Sequence, residues 1–182
     1  LGYSLGARIA LRLAIAHASV VGRLVLESPS AGLPTAAERA TRRRADEALA
    51  ARIERDGIAA FVEEWERQPV FASHASLPPA RAARLRAMRL ANDPRGLAAS
   101  LRGAGQGAME PLFDRLGAIA APTLVIAGAL DERGRTRAVE IARRIPGARL
   151  EIFAHAGHTP HEEQSGTFRH LVLDFLQEAR AT

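Results

Sequence analysis

Gly2-Tyr3-Ser4-Leu5-Gly6, running directly into Ala7-Arg8-Ile9-Ala10-Leu11, decides how the rest of the chain reads. The pattern G-x-S-x-G places a serine on a tight turn between a strand and a helix. Small residues on either side let neighbouring backbone pass close to that turn, where side chains would clash. The apolar residues after it (Ile9, Leu11, Leu13, Ala14 and Ile15) predict a helix over Leu5–Ala18. It is apolar nearly all round, as suits a helix packed in the middle of a domain. The start of this helix meets Ser4, so the Leu5 amide and the helix dipole can stabilise negative charge there.

Working outward, three stretches read as strands: Arg23–Glu27, Pro122–Gly128 and Arg149–Phe153. Their near-continuous apolar runs suit a parallel sheet buried on both faces. Helices are predicted over Arg137–Arg144, ended by Pro146-Gly147, and over Thr167–Ala179, with Phe168, Leu171, Val172, Phe175 and Leu176 on one stripe. From Pro34 to Arg115 no strand pattern occurs. Short helices are expected there at Thr35–Arg55, Ile58–Arg67, Pro79–Leu90 and Gly96–Gly103. An insertion of this length between two strands is too long for a simple crossover and reads as a helical cap over an active site. The expected division is therefore core at 1–33, helical cap at 34–115 and core again at 116–182.

A serine acting on neutral substrates needs a base, and the base needs an acid to orient it. His158 follows the last expected strand, in Ala156-Gly157-His158, just before the final helix. Asp131 lies three residues beyond the strand ending at Gly128, at the kind of strand terminus where α/β sheets place functional groups. Ser4, Asp131 and His158 thus appear in the chain order Ser…Asp…His of the α/β-hydrolase fold. The expected fold class is α/β, an α/β-hydrolase fold with a helical cap. Because the sequence opens inside the elbow, the earlier strands and the loop carrying the second oxyanion donor are expected to be missing. The chain alone is then expected to be inactive or insoluble, its sheet edge unpaired. Asp114 and Asp174 read as solvated charges, His17, His74 and His170 as packing or surface residues, and His161 as either a support behind the site or surface, with surface favoured.

Composition narrows the alternatives. Hydrophobic residues make up 47% of the 182, which excludes a disordered chain. No apolar run is long enough for a transmembrane helix. Cysteine is absent, so disulfides and cysteine metal sites are excluded and a cytoplasmic setting fits. The net charge of +5 comes entirely from arginine, interleaved with 20 acidic residues and with few aromatics, so no nucleic-acid surface is expected. Neither a metal nor an organic cofactor is implied, and the chain is expected to be a monomer or weak oligomer with no membrane partner.

Over nearly its whole length the chain resembles the 2-succinyl-6-hydroxy-2,4-cyclohexadiene-1-carboxylate synthases of menaquinone biosynthesis. The resemblance rests on Gly2–Arg8, Ser28-Pro29-Ser30-Ala31-Gly32-Leu33, Glu38–Asp46, Trp65-Glu66-Arg67-Gln68-Pro69-Val70-Phe71, Arg86–Asn92 and Ala156-Gly157-His158. The stretches between residues 34 and 115 discriminate most, because caps vary most in this superfamily. The resemblance implies a lyase that abstracts a ring proton from a cyclohexene carrying an enolpyruvyl ether and expels pyruvate. Asp131 and His158 would raise the basicity of Ser4, which takes the proton. It also implies a polycarboxylate substrate, with Leu5 at the oxyanion, Arg8, Arg42 and Arg89 as carboxylate-binding groups and Trp65 lining the pocket. Glu66 departs from the family pattern, which often has an aromatic residue after the tryptophan. Two other readings remain open at this stage: a carboxylester or C–C bond hydrolase using Ser4 as nucleophile, and a non-catalytic binding module.

Overall fold

In the computed structural model, which describes residues 1–178, four short parallel strands form one sheet in the order β1-β2-β3-β4. They are β1 Gly2–Tyr3, β2 Leu24–Glu27, β3 Thr123–Gly128 and β4 Arg149–Phe153. The three expected strands are present. The fourth, β1, was not expected: Gly2 and Tyr3 pair with Leu26 and Glu27.

β2 and β3 are buried along their whole length, and alternate residues face opposite sides of the sheet. Leu24, Leu26, Val125 and Ala127 join one core with α1 (Leu5–Ala16) and α5 (Glu132–Arg144) through Ala7, Leu11, Ala14, Ala138 and Ile141. Val25, Leu124, Ile126 and Phe153 join another with α7 (Ser165–Gln177) through Phe168, Val172 and Phe175. Helices on both faces explain why these strands read as continuous apolar runs. Truncating a fully buried residue such as Ile126 to alanine costs about 2–5 kcal/mol. The short α6 (Pro160–Glu163) lies between β4 and α7. The Ala179 end expected for the last helix falls outside the described residues.

By its contacts the chain divides into two compact units, residues 1–31 with 112–182, and residues 32–111. The first holds the sheet. The second is helical. Its α2 spans Ala36–Glu66 but breaks at Gly57, whose φ of 81° is accessible to glycine and costly to other residues. This matches the two helices expected on either side of that position. Thr35 and Glu38 close a capping box at the start of α2. A run of 3-10 turns over Pro69–Ser76 leads to α3 (Pro79–Leu90), and Asp93 caps α4 (Pro94–Ala104). Ala50, Ile53, Val62, Phe71, Leu77 and Ala98 form the buried interior of this unit. Across its surface, Arg102 of α4 forks onto Glu47 and Glu54 of α2, each carboxylate taking two bonds of 2.7–2.9 Å.

Candidate active site

Ser4 occupies the N-cap of α1 with φ 48° and ψ −106°. A non-glycine residue held there costs about 1–3 kcal/mol, a strain that the surroundings must fix. They do so from two sides. The Ser4 amide donates to the Glu27 carbonyl at 2.9 Å. Gly2 passes so close to the helix that a β-carbon there would lie 2.3 Å from the Gly6 carbonyl oxygen. The second motif glycine is different, since a β-carbon on Gly6 would meet nothing within 4 Å. Among the described residues, the clash expected at both flanking glycines therefore applies only to Gly2. The Ser4 side chain makes no capping bond to its own helix. Its hydroxyl lies 3.1 Å from Nε2 of His158.

On the other side of the imidazole, Nδ1 of His158 lies 2.6 Å from Oδ2 of Asp131. An ionised carboxylate only accepts, so Nδ1 carries the proton and Nε2 is left as the acceptor for the serine hydroxyl. Asp131 also caps α5, its Oδ1 accepting from the Gly134 amide at 2.9 Å. That cap explains why α5 begins at Glu132, five residues earlier than expected. The three side chains singled out in the sequence are thus brought into one hydrogen-bonded line, all within the sheet-bearing unit.

Burial by itself raises the Asp131 carboxyl. The bonds from His158 and the Gly134 amide, with the nearby charges of His158 and Arg137, outweigh it and hold the group below its ordinary 3.8. A carboxylate depressed in this way stabilises the fold fully above its unfolded value and loses that contribution as pH falls through the depressed value. Thermal melts taken from neutrality down to about pH 2 are expected to fall less steeply at the acid end in Asp131→Asn than in the wild type. Superimposable acid limbs would mean that the carboxylate is not held in this way.

The loop carrying His158 is tied down at several points. The Ser28 hydroxyl donates to the His158 carbonyl at 2.8 Å. Glu163 accepts from the Gly157 amide at 2.7 Å and from the Thr159 amide and hydroxyl at 3.0 and 2.9 Å. His161 donates from its amide and from Nδ1 to Oε1 of Glu27, at 2.9 and 2.8 Å. The Tyr3 ring stands edge-on to both His158 and His161. His161 is therefore not the surface residue expected; it is half-buried against Glu27, which is 1% exposed. The sequence alone assigns no role to Tyr3, Glu27, Ser28 or Glu163. The one available signal was an acidic residue closing the otherwise apolar strand Leu24-Val25-Leu26-Glu27.

Leu5 opens α1, where the first amides of a helix have no acceptor within it, and Arg8 is buried one turn after Ser4. The remaining candidates belong to the helical unit. Arg42 pairs through Nε with the buried Asp46 at 2.7 Å. Arg89 binds Glu66 at 2.9 Å and lies over the Phe71 ring, and Arg86 also pairs with Glu66. Trp65 stacks on Phe61 and packs against Phe71. Glu66, the departure from the family pattern, thus holds two arginines. Arg86 and Arg89, with Phe71 and His74, line a cavity of about 620 Å³ within this unit. Among the described residues there is no group of three or more side chains suited to a metal ion, and no helix long and apolar enough to cross a membrane.

A parallel sheet with helices on both faces, a serine at a strand-to-helix elbow, and an acid and a histidine after later strands define an α/β-hydrolase-type protein. The family model described as the alpha/beta hydrolase fold matches residues 1–165, and the chain belongs to that family. The chain is 42% identical, over 97% of its length, to a protein of Bacillus subtilis (strain 168) named as a putative 2-succinyl-6-hydroxy-2,4-cyclohexadiene-1-carboxylate synthase. Its fold matches the structure of MenH from S. aureus with a TM-score of 0.94 and 38% identity over 97% of the chain. It also matches a thermophilic esterase from Thermogutta terrifontis, with a TM-score of 0.83 and 26% identity over 97% of the chain. The chain spans 64%, 66% and 63% of these three proteins respectively.

Proposed function

We propose that Ser4, His158 and Asp131 form a catalytic triad, and that the protein eliminates pyruvate from 2-succinyl-5-enolpyruvyl-6-hydroxy-3-cyclohexene-1-carboxylate. The observation that carries this reading is the 42% identity, over 97% of the chain, to a relative named as the corresponding synthase. The geometry supports the same chemistry. The product name places double bonds at ring positions 2 and 4, where the substrate has one at position 3. A proton must leave carbon 2, which is acidified by the neighbouring succinyl ketone. The ring electrons shift, and the oxygen at carbon 5 departs with its enolpyruvyl group, which becomes pyruvate. The step needs a base of short reach and no acyl-enzyme. His158 draws the hydroxyl proton from Ser4, and the serine oxygen takes the ring proton. The amide of Leu5 and the start of α1 stabilise the enolate oxygen that forms.

The substrate carries three carboxylates, which calls for cationic partners. In this reading Arg8, Arg42 and Arg89 supply them and Trp65 lines the pocket. Arg42 and Arg89 already hold carboxylates of the chain itself, Asp46 and Glu66. A substrate carboxylate must therefore share or displace these partners. No cofactor enters the step, and the partner in this reading is a small polycarboxylate, with no nucleic acid and no membrane.

The likeness to an esterase gives the alternative, in which Ser4 attacks an ester as nucleophile. Rapid mixing with an activated aryl ester separates the two. The lyase reading expects no burst of phenol equal to the enzyme concentration. A full burst followed by slow turnover would favour the hydrolase.

A further inference from the structure

Glu27 is a carboxylate at the end of a strand whose other three residues are apolar, and it is 1% exposed. A buried charge of this kind is unfavourable unless it is hydrogen-bonded. Both bonds that it accepts come from His161, through the amide and through Nδ1. Since an ionised carboxylate cannot donate, His161 carries its proton on Nδ1; its Nε2 lies 3.7 Å from Glu162. The main chain of Glu27 is bonded to the elbow, its carbonyl accepting the Ser4 amide at 2.9 Å. Glu27 therefore touches the elbow with its backbone and the histidine loop with its side chain. The next residue, Ser28, adds a bond to the His158 carbonyl.

We infer that Glu27 is a positioning residue: by holding the Ser4 amide with its carbonyl and His161 with its carboxylate, it fixes the spacing between Ser4 Oγ and His158 Nε2. The inference rests on the triad reading above. Glu27 touches no reacting atom; it acts through Ser4 and His158. His161 is its lever, three residues after the base and pressed with it against the Tyr3 ring. Loss of the carboxylate leaves the elbow bonded to backbone but releases the far side of the loop. A serine–histidine contact of 3.1 Å has little slack.

The test is the rate at which a fluorophosphonate labels Ser4. The serine oxygen bonds to phosphorus, fluoride leaves, and His158 takes the hydroxyl proton, so the rate reports the serine–histidine contact without any pathway substrate. Glu27→Ala and His161→Ala are each expected to label about 10- to 100-fold more slowly than the wild type. The double variant is expected to be no slower than the slower single one, because both remove one interaction. His161→Asn, whose amide can donate where Nδ1 does, is expected to return to within roughly threefold of the wild type. A merely structural role would slow Ala and Asn alike, in step with the melting temperature. If Glu27→Ala melts too low to assay, the His161 pair carries the test.

Labelling of His161→Ala at the wild-type rate overturns the inference, and so do equal losses in His161→Ala and His161→Asn. His158→Ala separates this from the triad reading. If that variant labels as fast as the wild type, the triad itself fails and the positioning role falls with it. If only the Glu27 and His161 variants are unaffected, the triad stands and Glu27 has no part in it.

Discussion

Ser4→Ala is expected to lower the rate constant of pyruvate release by about 10³-fold or more, with little change in KM. The proposed step moves one proton, and the serine oxygen is the atom that reaches for it. His158 is one bond further back, 3.1 Å behind that oxygen. With the hydroxyl gone, the imidazole must act across the gap or through water. In the proposed reading other groups hold the substrate's carboxylates, so binding should survive while chemistry does not. The fold should survive as well. Ser4 gives its helix no side-chain cap to lose, and alanine keeps the amide bond to the Glu27 carbonyl. Alanine still has to adopt φ 48°, so a modest fall in melting temperature is expected. An equal loss in kcat and in substrate affinity would place Ser4 in binding rather than proton transfer.

The second large effect is expected at Asp131→Asn. Asparagine fills nearly the same space, and its side-chain oxygen can still cap α5 through the Gly134 amide. Turned that way, its amide nitrogen donates toward Nδ1 of His158. That favours the tautomer with the proton on Nε2, which can no longer accept from the serine. A loss of about 10³–10⁴-fold in kcat is expected from this reversal alone. Calorimetry and the pH–rate profile distinguish this from misfolding. At neutral pH the melting temperature should fall only by the contribution of the ionised carboxylate, because the capping bond remains. A variant that folds and retains most of its activity would mean that His158 is oriented by something other than Asp131.

Much of this site could be read before any coordinates, because its three groups sit where α/β sheets put chemistry. Ser4 lies at an elbow with a recognisable spacing, and Asp131 and His158 each follow an apolar run by a few residues. The helical stretch between β2 and β3 is equally plain from its length and its lack of alternation, and the gap expected between Arg55 and Ile58 falls where α2 breaks at Gly57. What stayed hidden depends on tertiary contact. Glu163 resembles any other acidic residue in a chain with 20 of them until folding wraps a loop around it, and Glu27 is marked only by closing an apolar strand until folding buries it. The early start of α5 was missed because Asp131 was read only as an acid, when it is also a cap. The motif does not say which glycine the helix crosses, and among the described residues the close approach is at Gly2. Glu66 was noticed as an anomaly, but its grip on Arg86 and Arg89 needed coordinates.

The most direct test is to purify the protein in the full length made by the cell, give it 2-succinyl-5-enolpyruvyl-6-hydroxy-3-cyclohexene-1-carboxylate, and follow pyruvate and the conjugated cyclohexadiene together. The two are expected in equal amounts, at a rate that is proportional to enzyme and is lost in Ser4→Ala. Turnover of simple esters without pyruvate release, or pyruvate release that persists in Ser4→Ala, would contradict it.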